Sequence, residues 1–293
     1  MSDATGDKFT IEIATQKQWE YAKRWAASEH WDLGLGDSEI FRAVDPEGYF
    51  IACVSGEPVS AISVVNYNEH YAHLGHYLTD ARVRGSGYGV NVWSAGIEHA
   101  GGRCIGLDGM PAQESNYAKW GFKTAYRTLR LSGLVCYTAQ TSTPSTPSTP
   151  SIQKVENTSV KKIANLDGLS SGIHRPGFIS EWFCGEGRTS LSIVNNGRML
   201  AFGSLRPSSE GYRLGPVYSA ESALLPSLLS AIFATIPPGS RVTVDVPEFA
   251  SDFIDECNSH GLTEQFSTLR MYRGEPLNTD RKTLKAIASL ELG

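Results

Sequence analysis

Charged residues are sparse, at 19% of the 293, and the basic ones do not outnumber the acidic: the formal net charge is -5. A chain without a cationic surplus has no general attraction for a phosphate backbone, so nucleic acid is not an expected partner. Cysteine is equally thin. Cys53, Cys104, Cys136, Cys184 and Cys257 are odd in number and never spaced C-x-x-C, which speaks against a disulfide framework or a zinc site and fits reduced thiols. No apolar run approaches the roughly 18 residues of a membrane span. Residues 1–10 hold no apolar core of the kind a secretory signal needs. The expectation is a cytoplasmic protein without a membrane partner. The 41% of hydrophobic residues suffices for a buried core, and the length suits two domains.

One boundary stands out. Ser-Thr-Pro occurs three times in succession at 142–150, inside a tract from 138 to 151 nearly free of apolar side chains. Proline withholds donors and favours extended backbone, so 138–152 is expected to be an exposed linker. The flanking halves look related. Gly121-Phe122 through Tyr126-Arg127-Thr128-Leu129-Arg130 matches Gly261-Leu262 through Phe266-Ser267-Thr268-Leu269-Arg270 at an offset of 140, which also takes Leu74-Gly75 to Leu214-Gly215. Two copies of one fold follow from this. In the first copy, helical spacing of Trp19, Ala22 and Trp25 precedes strands at 49–54 and 59–65 around the Gly56 turn, then a strand at 71–78. A glycine-rich turn leads into a helix with Val90, Trp93 and Ile97 on one face, stopped by Gly101-Gly102. A strand at 103–107, a short helix at 115–120 and a strand at 125–131 complete it. The expected fold class is α/β (α+β): two tandem domains, each a mixed, mostly antiparallel sheet flanked by helices.

The sharpest motif is Arg84-Gly85-Ser86-Gly87-Tyr88-Gly89, between a strand and an amphipathic helix. Glycines let several N–H groups point at one anion, and the helix adds its unpaired N-terminal donors. Arg84 supplies a fixed positive charge. A Rossmann reading is disfavoured because several antiparallel-type strands precede the loop. This loop resembles the R-x-x-G-x-G acetyl-CoA motif of the GNAT (GCN5-related N-acetyltransferase) family, with Arg84, Gly87 and Gly89 at the defined positions. Tyr117-Ala118-Lys119-Trp120-Gly121-Phe122 is similar to the family's later Y-x-x-x-G-F element. The resemblance covers about residues 10–133. Residues 155–276 look like the degenerate GNAT-like second domain of a tandem subgroup, through Asp245-Val246-Pro247 and Arg270-Met271-Tyr272-Arg273-Gly274. After Leu214-Gly215-Pro216 that half has no glycine-rich turn, so no CoA site is expected there. The implied organisation is a catalytic domain at 1–137, the linker at 138–152, the degenerate domain at 153–276 and a C-terminal helical tail at 277–293.

What the resemblance implies chemically is direct attack of an amine on the acetyl thioester. Acetyl-CoA is the expected co-substrate, and no metal is expected. Leu78, Thr79, Arg84, Gly85, Ser86, Gly87, Tyr88, Gly89 and Asn116 are the expected CoA-binding residues. Tyr117, four residues before Gly121, stands where the family places its general acid; a packing tyrosine is the plainer alternative. His76, on the strand before the loop, and Asp108, after the next strand, are the candidate bases, against a hydrogen-bonded strand histidine and a turn-capping aspartate. Trp31, Asp32, Glu69 and Tyr71 are candidates for the acceptor pocket, against ordinary loop positions. Strand alternation would put His73 on the face opposite His70 and His76, so those three should not converge on a metal. Cys104 reads as a core thiol. The expected function is N-acetylation of a primary amine on a small molecule such as an amino sugar, aminoglycoside or polyamine. A non-catalytic acyl-CoA-binding regulator and a protein-lysine acetyltransferase are the alternatives, and self-association as a homodimer is left open.

Overall fold

A computed structural model describes residues 8–135 and 150–293; most of the Ser-Thr-Pro tract lies outside them. The first half runs β1 (Phe9–Ile13), α1 (Gln16–Ser28), α2 (Asp37–Val44), β2 (Tyr49–Val54), β3 (Glu57–Asn66), β4 (Tyr71–Thr79), α3 (Tyr88–Ala100), β5 (Cys104–Gly109), α4 (Glu114–Ala118) and β6 (Lys123–Leu134). The second runs β7 (Ser151–Lys154), α5 (Val160–Ser171), α6 (Pro176–Cys184), β8 (Thr189–Asn195), β9 (Arg198–Pro207), β10 (Tyr212–Ser219), α7 (Leu225–Phe233), β11 (Arg241–Pro247), α8 (Ser251–Ser259), β12 (Thr263–Arg273) and β13 (Leu284–Ala286). The end of the expected linker is therefore structured: β7 begins at Ser151 and pairs with β8.

Local sequence explains the elements. Thr15 and Gln18 form a capping box that starts α1, and its inward side chains are Trp19, Ala22 and Ala26. Ser55-Gly56 and Asn196-Gly197 both take positive φ, at 50° and 85° and at 48° and 74°, the geometry of two-residue hairpin turns. The pairs β4/β5 and β10/β11 are parallel and are joined through α3 and α7, since a parallel pair needs a crossover.

All the strands of the described residues form one sheet, in the order β1-β2-β3-β4-β5-β12-β6-β11-β10-β9-β8-β7, with β13 on β10. The two copies have exchanged their last strands: β12 pairs with β5, β6 with β11, and β6 and β12 with each other. Thr128 lies opposite Thr268, so the matching segments, the last strand of each copy, run side by side. The exchange places two ion pairs symmetrically. Arg270 of β12 faces Asp108 of β5, and Arg130 of β6 faces Asp245 of β11. A shared core beneath α1, α2, α5 and α6 joins the halves further, with Phe41 stacked on Phe178 at 5.3 Å. Burying a side chain of that size contributes about 1.5–3 kcal/mol.

The tail at 277–293 is not the expected helix. It carries turns and β13, and residues 284–293 are buried. A short isolated helix is marginal in water, whereas here the tail finds unpaired backbone in both copies. β10 and β11 stop pairing after Leu214 and Val244, and β13 with Ile287 fills the gap, Ile287 N–H donating to the Asp245 carbonyl at 3.1 Å. The chain then reaches the equivalent gap in the first copy. A Cβ on Gly215 would lie 2.2 Å from the Ile287 carbonyl oxygen, and one on Gly75 only 1.7 Å from that of Glu291. Those are the repeat-related Leu-Gly positions, and glycine is what lets the tail pass so close.

Candidate active site

The cleft begins with a fault in β4. Ala61 pairs with Leu78 and Ser63 with Gly75, so His76 and Tyr77 together oppose one residue of β3, and His76 takes φ 45°. This is a β-bulge, which bends a strand and reverses its side-chain alternation. β4 and β5 are in register from Tyr71/Cys104 to Leu74/Leu107 and not beyond. A cleft of about 820 Å³ opens where they part. The bulge also corrects an expectation. His76 lies edge-on to Trp19 of α1 at 5.5 Å, on the same side as Tyr71, whose hydroxyl is 2.8 Å from His73 Nδ1. His73 and His76 thus share a face. His70 remains exposed in the turn before β4.

Leu78, Thr79, Arg84, Gly85, Gly87, Tyr88, Gly89 and Asn116 line the cleft; Ser86 does not. Gly85 and Gly87 have φ near +85°, where a side chain would be strained, and open space where a Cβ would stand. Gly89 packs so closely that a Cβ would meet the Tyr77 hydroxyl at 2.6 Å. Among the described residues no side chain caps α3 at Gly87, and Gly87 to Val90 line the cleft, so the first N–H groups of the helix are available there as anion donors. Arg84 Nε donates to the Thr79 carbonyl at 3.1 Å, and its guanidinium also pairs with Glu29. Asn116 donates to Gln113 Oε1 at 2.7 Å. An open glycine cradle, a fixed arginine and an uncapped helix suit the pyrophosphate of a CoA thioester.

Tyr117 lines the cleft, stacked on Trp93 at 5.6 Å, and burial pushes its hydroxyl up to about 12. His76 is buried, with Nδ1 2.9 Å from the Ser63 hydroxyl; desolvation lowers its pKa, with Glu291 and Asp37 opposing and Lys23 adding to the fall. Asp108 borders the cleft, yet its side chain is enclosed and committed elsewhere. Arg270 Nε donates to Oδ2 at 2.9 Å, Nη2 lies 2.6 Å from the same oxygen, and Thr128 donates to Oδ1 at 3.1 Å. Burial raises the Asp108 pKa against the opposing Arg270 charge and its hydrogen bonds, so what argues against a base is geometric: both carboxylate oxygens are engaged, by Arg270 and by Thr128, before any substrate amine arrives. Cys104 lies outside the cleft lining, and burial pushes its thiol up to about 11.

Of the acceptor candidates only Trp31 reaches the cavities. Asp32 is buried and ties the halves together, accepting from Ser208 Oγ at 2.7 Å, Ser209 Oγ at 2.9 Å and Glu210 N–H at 3.1 Å. Glu69 is exposed and Tyr71 buried at the far end of β4, and neither borders a cavity. The 31–37 segment is not one loop, because α2 starts at Asp37, whose carboxylate is held by Arg188 at 2.7 Å and Arg206 at 2.8 Å. A second cavity of about 200 Å³ lies between α1, the 33–38 segment, Ser209 and the tail. Trp31, His76 and Glu291 border both cavities. Arg130, Phe266, Thr268, Leu290 and Glu291 also line the main cleft. Sequence reasoning missed all five, since only the strand exchange and the tail bring them there.

Comparison with known proteins agrees with this geometry. Residues 11–122 match the Acetyltransferase (GNAT) family and residues 163–286 an Acetyltransferase (GNAT) domain. Holothin acyltransferase of Pseudoalteromonas sp. (strain SANK 73390) is 38% identical over 285 residues, 97% of this chain and 95% of that protein. A Pyrococcus horikoshii protein described as an acetyltransferase has the same fold, with a TM-score of 0.81 at 20% identity over 97% of this chain and 96% of that one. A tandem GNAT protein from the clavulanic acid biosynthesis pathway shares the fold at a TM-score of 0.62 and 13% identity, over 92% of this chain and all (100%) of that one. The chain belongs to the GNAT acyltransferases, as a tandem of two GNAT domains.

Proposed function

We propose that the protein transfers an acyl group, acetyl in the simplest case, from acyl-CoA to the primary amine of a small molecule, with holothin or an amine of similar size as acceptor. The observation that carries this is the shared wall: a cleft suited to CoA and a smaller cavity meet at Trp31, His76 and Glu291. The similarity to holothin acyltransferase over nearly the whole chain supports the acceptor class. A protein tail fits less well. The smaller cavity is about 200 Å³, and both halves wall it through the Asp32 and Asp37 ties. The four described cysteines are unpaired, which supports a cytoplasmic setting.

When bound, acyl-CoA supplies a thioester whose carbonyl carbon is the electrophile. Arg84, the Gly85–Gly89 backbone and the start of α3 hold the pyrophosphate. The backbone of β4 at Tyr77, Leu78 and Thr79 aligns the pantetheine arm. His76, through the ring nitrogen that Ser63 does not engage, takes a proton from the amine as nitrogen bonds to carbon and the carbon–sulfur bond breaks. Tyr117 gives its proton to the departing sulfur; the raised pKa of its hydroxyl keeps that proton in place until then. Asp108 holds the sheet together through Arg270.

The test is mass-spectrometric detection of acylated product from acetyl-CoA with holothin, glucosamine, spermidine and lysine peptides, alongside calorimetric titration of CoA. Product with a small amine is expected. Product with peptides alone would overturn the acceptor class. CoA binding without product from any amine would favour a regulatory binder.

A further inference from the structure

The tail contributes a group that no part of the expected site includes. Glu291 is 7% exposed and borders both cavities. Buried carboxylates are normally paired. Among the described residues the Glu291 carboxylate makes no hydrogen bond, and the nearest cation, Arg130 Nη2, stands 3.7 Å from Oε1. Arg130 is already spent. Its Nε and Nη2 donate to Asp245 at 2.7 and 3.0 Å. Glu291 thus stands at the junction of donor and acceptor cavities with lone pairs free and its backbone clamped, the neighbouring Leu292 carbonyl accepting from the Tyr67 hydroxyl at 2.6 Å.

We infer that Glu291 receives the acceptor's amino group, accepting its N–H and holding the nitrogen between the thioester site and His76. The inference rests on the acyl-transfer reading of the cleft. In the step it serves, one N–H proton passes to His76 as the nitrogen bonds to the acyl carbon, and Glu291 stabilises the imidazolium so formed. The groups charged or titratable around His76 are Glu291 from the tail, Asp37 from α2, Lys23 from α1 and His73 from β4 itself. Of these, Glu291 alone also borders both cavities with His76. A carboxylate carried by the tail also gives the second copy a part in acceptor choice, because β13 anchors that tail in the second copy's gap.

The experiment uses the full chain, acetyl-CoA, and holothin, glucosamine and spermidine as probe amines, with Glu291→Gln and Glu291→Asp compared to wild type. Glu291→Gln is isosteric, so the tail should remain seated. It should raise the acceptor KM about tenfold or more and leave CoA affinity within twofold of wild type as a fold control. The acidic limb of kcat/KM should move to lower pH, since a neighbouring negative charge no longer favours the imidazolium. Glu291→Asp should recover part of the acceptor KM. An unchanged KM and limb in an active Glu291→Gln would overturn the assignment, as would loss of CoA binding, which would make the residue structural. A wild type that binds CoA and acylates none of the probes would overturn the acyl-transfer reading itself.

Discussion

Asp108→Asn separates structure from chemistry at the most ambiguous residue of the cleft. As a general base, Asp108 would be needed for turnover and dispensable for folding. The geometry assigns it the reverse role. Its carboxylate is enclosed, and Arg270 Nε donates to it at 2.9 Å across the β5/β12 junction where the copies exchange strands. Asparagine keeps the shape and removes the charge, leaving a buried guanidinium uncompensated. Breaking one side of such a pair costs about 3–5 kcal/mol, a large share of a total stability of about 5–15 kcal/mol. The expected melting-temperature loss is on the order of 10 °C. Arg270→Met should cost a similar amount for the opposite reason. The double variant Asp108→Asn/Arg270→Met should recover at least about 2 kcal/mol of the summed loss, because no charge is then stranded. Urea titration gives the stabilities, and steady-state kinetics well below the melting temperature gives the activity. Folded Asp108→Asn should turn over within a few-fold of wild type. If it melted like wild type and lost roughly 100-fold or more in kcat, the magnitude expected for a lost general base, the assignment would be refuted.

Further consequences follow from the same geometry. Gly87→Glu places a β-carbon where φ is +86° and a negative charge where the pyrophosphate should sit, so CoA binding by calorimetry should vanish while the fold persists by circular dichroism. Tyr117→Phe keeps the stack on Trp93 and removes the acid; kcat should fall by about tenfold or more with CoA affinity unchanged, and equal turnover would remove Tyr117 from the reaction. His73 is buried with a pKa held well below the ordinary histidine value by desolvation, followed by the Arg270 charge, and desolvation lowers His76 as well. The unfolded chain therefore takes up protons first, so the stability these two confer is complete above about pH 6.5 and is lost as pH falls below it. Urea midpoints should drop between about pH 7 and about pH 5.5, and His73→Gln should flatten that slope.

The glycine-rich loop before α3 was legible because its signal is local. Three glycines, one arginine and a following amphipathic helix lie within a few residues, and the loop they predict is the loop observed. The strands of the first copy from β2 to β6 were legible for the same reason, since period-2 apolar patterns are read from short windows, whereas β1 at Phe9–Ile13 was not foreseen. What failed was everything set by pairing between distant segments. The bulge at His76 leaves no mark in the sequence, so alternation put His76 on the face opposite His73. Glu69 and Tyr71 lie near His76 in the chain and at the other end of the strand in space. Asp32 looked like an acceptor ligand because its three partners, Ser208, Ser209 and Glu210, are about 180 residues away. The repeat at Thr128 and Thr268 was visible, but not that the two strands would lie side by side.

The strand exchange gives a physical reason for keeping a second copy without a glycine cradle of its own. A GNAT sheet that parts between its fourth and fifth strands leaves backbone groups unpaired, and in a folded protein these must be satisfied by ligand, water or chain. In the first copy the parting opens the cleft of about 820 Å³ that we propose for CoA. In the second, the same parting after Leu214 is filled by β13, which converts a site into an anchor. The anchored tail then crosses Gly215 and Gly75, the two repeat-related glycines, and ends among the groups that border the smaller cavity. β12 meanwhile supplies Arg270, Phe266 and Thr268 to the first copy's half of the sheet and cleft. The second copy is thus a wall and a clamp for the first copy's cleft. Cutting the chain between the halves would leave β5 without β12 on one side and the smaller cavity without one wall, so the unit that builds both cavities is the tandem and not the first domain alone.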